Sequence, residues 1–271
     1  MKKVVLITGA SAGIGEATAI ALRNQGHVVY GGARRVEKMK NIARYGVKPL
    51  ALDVSNEESM QRCIQQVLSE QGRIDVLVNN AGYGAYGSLE DTPLAEGKRQ
   101  FEVNLFGLAR MTQLALPHMR EHRYGRIINI SSIGGRVGSP HGTWYQASKF
   151  AVEGFSDSLR MELRQFGIDV VIIEPGAIKT EWSGIAQDNL IKTSGHTVYG
   201  NLATQHAHNL AKYDGSGSTP NVIADTIVQA VEARRPRTRY AVGRGTGMLL
   251  LARRILSDRL LDRFMLRMLT A

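Results

Sequence analysis

With 271 residues, of which 43% are hydrophobic and 21% charged, the chain has enough apolar material for a substantial core, which excludes a disordered polymer and fits one large α/β domain. Its single cysteine, Cys63, excludes an internal disulfide and a cysteine-rich zinc site and points to a cytoplasmic address. The net charge of +10 is uneven: residues 231 to 271 hold ten arginines against Glu232, Asp258 and Asp262, so the basic character belongs to the tail.

Met1-Lys2-Lys3 leads into Val4-Val5-Leu6-Ile7, but this apolar run stops at Thr8-Gly9, too short for the core of a signal peptide. No uncharged apolar stretch reaches the roughly 18 residues that cross a bilayer, so no membrane span is expected. Short β-branched runs at 3–8, 28–33, 48–52, 74–79, 126–131 and 168–174 read as strands. Most are uniformly apolar, as strands covered on both faces are, and candidate helices at about 14–25, 56–71, 93–116 and 144–165 alternate with them. The alternation predicts an α/β fold with a doubly wound parallel sheet. From about 182 to 218 the periodicity weakens as Gly, Ser, Thr, Asn and His accumulate, and two readings stay open: a mobile lid, or a pair of helices with poor patterning. Pro220 opens another helix, Arg239-Tyr240-Ala241-Val242 reads as a last short strand, and 248–269 reads as one basic, apolar-rich helix. The expected layout is one domain over 1–247, with the lid at about 182–218, and a C-terminal amphipathic extension over 248–271.

The first strand runs directly into Thr8-Gly9-Ala10-Ser11-Ala12-Gly13-Ile14-Gly15, and a helix follows. Glycines permit a tight turn and let a pyrophosphate approach the backbone, while the free N–H groups of the helix start stabilise its charge. Gly9, Ser11, Gly13, Ile14 and Gly15 are therefore candidate dinucleotide contacts. An acid about 20 residues beyond such a turn selects the unphosphorylated cofactor. Here the second strand ends in Arg34-Arg35 instead, two guanidiniums suited to a 2′-phosphate, and the cofactor expected is NADP(H). Asp53, with Val54 beside it, ends the third strand, where its carboxylate can accept from adenine or cap the helix near Asn56. Asn80, Ala81 and Gly82 end the fourth strand, at the sheet edge where such folds bind ligands.

Tyr145 and Lys149 lie four apart on a predicted helix and share a face. A free tyrosine has a pKa of about 10 and a fixed ammonium lowers it, so Lys149 is expected to acidify Tyr145 for proton transfer. Ser132, at the end of a buried strand, offers a hydroxyl to a substrate oxygen. Asn104 is an amide inside an apolar helical stretch, where it can break the backbone ladder and hold a water, or sit as a satisfied core amide.

These motifs together resemble the classical short-chain dehydrogenase/reductase family, over residues 3 to 243: TGxxxGxG at 8–15, NNAG at 79–82, Ser132, YxxxK at 145–149, and Pro175-Gly176 after the sixth strand. The resemblance implies a Rossmann-type fold with Tyr145 as general acid/base. It implies that Lys149 lowers the pKa of Tyr145 and binds the nicotinamide ribose, and that Ser132 orients the carbonyl. Asn104 matches a fourth catalytic position that holds a relay water, and Pro175, Gly176, Ile178 and Thr180 match the segment that holds the carboxamide and phosphates. The implied reaction interconverts a carbonyl and an alcohol without a metal.

Substrates in such a fold range widely, but Trp182, Ile185, Leu190, Ile191, Val198, Tyr199 and Leu202 suit an apolar cover, and Tyr30 through Arg35 resembles the hydroxysteroid- and retinol-dehydrogenase-like branch, so a lipophilic substrate is expected. His196, His206 and His208 have no acid or cysteine at ligand spacing and read as surface histidines. The tail suits a membrane interface, as a peripheral contact of a cytoplasmic protein, a partner subunit in a homodimer or homotetramer, or packing over the substrate cleft. Nucleic-acid binding is not expected, since no aromatics interleave its arginines. The competing function is a catalytically idle dinucleotide sensor.

Overall fold

In the first strand, β1 (Val4–Thr8), Val5 and Ile7 pack into one core and Leu6 into another, and all three are fully buried. A strand apolar on both sides needs helices on both sides, and the chain supplies them. The computed structural model describes residues 1–270, and the side chains of 1–211 and 217–269. After β1 come α1 (Gly13–Asn24), β2 (Val28–Ala33), α2 (Lys40–Arg44), β3 (Lys48–Ala51), α3 (Glu57–Gln71), β4 (Val76–Asn79), α4 (Leu94–Phe101) and α5 (Gly107–Glu121). They are followed by β5 (Gly125–Ile130), α6 (Thr143–Leu163), β6 (Ile168–Pro175), α7 (Glu181–Ser194), α8 (Gly200–Ser216), α9 (Pro220–Glu232), β7 (Arg239–Val242), α10 (Thr246–Ile255) and α11 (Asp258–Thr270).

The seven strands form one parallel sheet in the order β3-β2-β1-β4-β5-β6-β7. On one face Ala19, Leu22, Ile223, Ile227 and Val231 of α1 and α9 close over Val5, Ile7, Val78 and Val171. On the other, Ile64, Val67, Met111, Ala115, Leu159 and Leu163 of α3, α5 and α6 close over Leu6, Leu77, Ile127 and Val170. The strand order reverses between β1 and β4, and at such a switch point the loops diverge and leave a cleft above the carboxyl ends of the strands. Cys63 lies inside the second core, where burial pushes its thiol up to about 12 and leaves it inert.

Several expectations need correction. The helix expected over 93–116 is α4 and α5 joined by a π turn, Glu102–Phe106, centred on Asn104, and it runs through Pro117 to Glu121. The weakly patterned stretch is the helix pair α7 and α8. The tail is two helices, because Leu256 adopts an extended backbone. The Ser257 carbonyl then accepts from Leu260 and Leu261, and Asp258 at the start of α11 pairs with Arg253 at 2.6 Å across the bend. The short helix α2 had no periodic signal. Among the described residues, no helix is long and apolar enough to cross a membrane.

Candidate active site

The cleft floor is the turn between β1 and α1. Gly9 takes a φ of 71°, and a Cβ on Gly15 would lie 2.3 Å from the Gly9 carbonyl oxygen, so the turn closes only with bare backbone at both positions. Gly15 thus acts behind the cleft wall, whereas Ser11, Gly13 and Ile14 line it. The residue capping α1 is Ala12, whose methyl accepts no hydrogen bond, so the first amides of the helix keep their donors for an anion. Thr8 Oγ1 accepts the Asn80 and Ala81 amides at 3.0 and 2.9 Å, and Asn80 Nδ2 donates to the Thr8 and Gly9 carbonyls at 2.9 and 3.1 Å. The end of β4 is thereby sewn to the glycine turn. Gly15→Ala should cost about 2 kcal/mol through this clash, read as a melting point lower by a few degrees together with weakened dinucleotide binding.

At one end of the cleft stand Arg34 and Arg35, exposed, with Asp53 and Val54 also on the wall. Asp53 Oδ1 accepts the Ser55 amide at 2.9 Å and the Ser55 hydroxyl at 2.6 Å. Burial alone would raise its carboxyl, but the Ser55 bonds and the charges of Arg34 and Arg99 outweigh it and hold the carboxyl below its usual value. Asp53 is not the helix cap: Asn56 Oδ1 takes that role, accepting the Ser59 amide at 2.8 Å. Arg99, on α4, joins this wall without any motif to announce it.

Near the other end, α6 presents Tyr145 and Lys149, and Ser132 follows β5. Lys149 Nζ donates to the Ile130 carbonyl at 2.8 Å, which fixes the ammonium 5.9 Å from the Tyr145 ring centre. Ser132 Oγ accepts the Gly134 amide at 3.0 Å, leaving its own hydrogen available. The expected acidification of Tyr145 by Lys149 does not appear. Burial pushes the Tyr145 hydroxyl up to about 12, opposed by a hydrogen bond with Ser132. Burial also brings Lys149 down to about 8, opposed by the charge of Glu153 one turn further along α6. Pro175, Gly176, Ile178 and Thr180 border the cleft from the β6–α7 connection, and Thr180 caps α7 by accepting the Trp182 amide at 3.3 Å.

Asn104 lies behind this wall. Its Oδ1 accepts the Tyr83 amide at 3.1 Å, and its Nδ2 donates to the Tyr83 carbonyl and Ser148 Oγ, each at 3.0 Å. The amide is thus satisfied in the core and holds the chain next to Gly82 in place, and the helix ladder also breaks around it in the π turn, so the structural part of each expected reading is present. Sequence reasoning missed the ion cluster behind Lys149, where the buried Glu153 accepts from Arg239 at 3.0 Å and the buried Glu174 from Arg136 at 3.1 Å, both arginines being partly exposed. These four residues come from α6, β6, β7 and the loop after β5, so no local pattern links them.

Over the reactive end, Tyr86, Tyr145 and Trp182 form a ring of contacts with centroids 5.3 to 5.8 Å apart, backed by Ala186, Leu190, Ala203 and Leu210. Trp182 and Ile185 border the cleft as expected of an apolar cover, whereas Val198 is 90% exposed and Tyr199 turns away to bond Glu90 at 2.7 Å. His206 is not a surface histidine: it is buried on α8 and its Nδ1 lies 3.1 Å from that of His141. His196 and His208 are exposed.

Residues 3–190 match the profile of the family described as short chain dehydrogenase. The chain belongs to this family. Among curated short-chain dehydrogenases it is 40% identical to a 3-ketodihydrosphingosine reductase of Bacteroides thetaiotaomicron over 89% of this chain and 88% of that one. It is 34% identical to human retinol dehydrogenase 8, over 88% and 80% respectively. Its fold superposes on a short-chain dehydrogenase from Streptomyces avermitilis with a TM-score of 0.81 and 34% identity, covering 93% of this chain and 92% of that one. A metagenomic short-chain oxidoreductase in complex with NADP gives 0.70 at 30% identity (89% and 96% covered), and a 3-ketoacyl-(acyl-carrier-protein) reductase from Brucella melitensis complexed with NADH gives 0.74 at 25% (89% and 96%). Both nicotinamide dinucleotides thus occur among its structural neighbours.

Proposed function

We propose that this short-chain dehydrogenase is an NADP(H)-dependent oxidoreductase that interconverts a carbonyl and a secondary alcohol on a lipophilic substrate. The observation that carries the reading is the position of Tyr145, which belongs both to the cleft above the glycine turn and to the aromatic cluster, with Ser132 bonded to its hydroxyl. The residues present fit the cofactor: an uncapped helix start for the diphosphate, bare backbone at the turn, and two arginines where β2 ends. Arg34 and Arg35 favour the 2′-phosphorylated form. When bound, NADPH supplies the hydride.

The protein's own part is proton supply and orientation. A hydroxyl with a pKa near 12 is protonated at neutral pH, so Tyr145 stands ready to donate to a carbonyl oxygen as negative charge builds there. Ser132, hydrogen-bonded to the Tyr145 hydroxyl, can turn its hydrogen to the same oxygen when a carbonyl is bound. Lys149, held by Ile130, fixes a positive charge beside them, and Asn104 acts as a positioning residue for the loop at Gly82. Helices α7 and α8 cover the apolar end, where Trp182, Tyr86 and Leu190 keep water out. The names of the two curated relatives point to substrates with long apolar chains, which suits this wall. We also propose that the chain forms a homodimer or homotetramer: a groove lined by Leu94, Phe101, Phe106 and Trp144, with Lys98 and Glu102 beside them, supports it, and sedimentation velocity would test it.

The Lys149 ammonium loses its proton above a pH of about 8, so carbonyl reduction should decline on that side. Removing the neighbouring negative charge with Glu153→Gln favours the neutral amine, and the alkaline limb of kcat/KM should move to lower pH by about one unit. The direct test of function is NADPH consumption across ketones, aldehydes, quinones and acyl thioesters. Turnover of an apolar ketone is the expected result, whereas tight NADPH binding with silence across the panel would make the protein a sensor.

A further inference from the structure

The C-terminal helices carry a feature that the proposed reaction leaves unused. On α10, Met248, Leu251 and Ile255 recur at helical spacing on one face and are 57%, 58% and 68% exposed. The opposite side is anchored: Thr246 is buried against Gly176 of the cleft wall, where its Cγ2 would meet a Cβ at 2.7 Å. α11 buries Leu261 and Leu269, packs on α8, and receives a hydrogen bond from Asn209 at the Leu269 carbonyl, while Leu260 and Leu266 stay exposed. Around these apolar side chains stand Arg253, Arg254, Arg259, Arg263 and Arg267, against only Asp258 and Asp262. Arg253 already pairs with Asp258.

We propose that the outer face of α10 and α11 docks on an anionic lipid surface, seating the apolar end of the cleft beside the membrane. The proposal rests on the lipophilic-substrate reading above and gives that substrate its source. Large apolar side chains projecting from a helix ringed by arginines match an interface whose interior is hydrocarbon and whose headgroups are negative. A second copy of the chain fits less well. Across a two-fold axis the same patch meets itself, so the arginines of α10 and α11 would face arginines. Because α10 touches the Gly176 loop and α11 touches α8, docking engages the two elements that border the site.

The test uses the full chain with phosphatidylcholine vesicles, with and without phosphatidylglycerol, in a sedimentation assay. The wild type should pellet with the phosphatidylglycerol vesicles, stay in solution with phosphatidylcholine alone, and be released by high salt. The triple variant Met248→Ser, Leu251→Ser, Ile255→Ser and the variant Arg254→Glu, Arg259→Glu, Arg263→Glu should each weaken pelleting at least tenfold. All these side chains are exposed, so unchanged melting points would show that the fold is retained. Turnover of a short water-soluble ketone should be the same in wild type and variants; its absence already in the wild type would count against the proposed reaction and not against docking. Failure of the wild type to pellet, or a triple variant that pellets normally but sediments as a smaller species, would overturn the proposal, the latter in favour of a second copy.

Discussion

Replacing Tyr145 with phenylalanine should lower kcat for carbonyl reduction roughly a thousandfold while leaving NADPH affinity within about threefold. The ring stays in the cluster with Tyr86 and Trp182, 5.8 and 5.3 Å away, so packing is preserved and only the hydroxyl is lost. The Lys149 ammonium is also protonated at neutral pH and is the more acidic group, but it is held on the Ile130 carbonyl. The Tyr145 hydroxyl instead stands with Ser132 at the apolar wall and is the proton donor placed for a forming alkoxide. Ser132 alone cannot replace it: its hydrogen bond can polarise the oxygen but its proton is too weakly acidic to transfer. A kcat loss of less than tenfold, measured by NADPH oxidation under saturating ketone, would move the proton donor elsewhere. Ser132→Ala, by contrast, removes one hydrogen bond to the oxygen and should cost about a hundredfold.

The double change Arg34→Ala, Arg35→Ala should weaken NADPH binding roughly a hundredfold and NADH binding by less than threefold, as measured by titration calorimetry. Both side chains stand at the end of β2 on the cleft wall, and no carboxylate occupies that strand end, where one would favour an unphosphorylated ribose. Arg35 reaches Glu181 only at 4.0 Å, between two exposed groups, so the change removes little internal structure. Equal losses for both dinucleotides would show that these arginines act on the fold or on the diphosphate and that phosphate discrimination lies elsewhere.

The sheet was legible because its strands are short apolar runs whose two faces are both covered, a pattern that survives in one dimension. The glycine turn and the Tyr145–Lys149 spacing were legible for the same reason: their geometry is local. The break at Leu256 was not, since Met248 through Leu256 keeps an apolar-basic pattern straight through it and the bend is set by Ser257 and Asp258. The pairing of His141 with His206 joins residues 65 apart, and only the seating of α8 on the loop before α6 brings them together. The pKa of Tyr145 could not be read from its distance in sequence to Lys149. The lysine is held by a backbone carbonyl of β5, and burial, which sequence spacing does not report, dominates both groups.

The central claim is that the cleft performs hydride transfer to a carbonyl. NADPH labelled with deuterium at the transferring position of its nicotinamide ring, incubated with the protein and an apolar ketone, should give an alcohol carrying the label at its carbinol carbon, with none formed by the Tyr145→Phe protein on the same timescale. NADPH bound tightly yet returned with its label intact, whatever the carbonyl offered, would contradict the account.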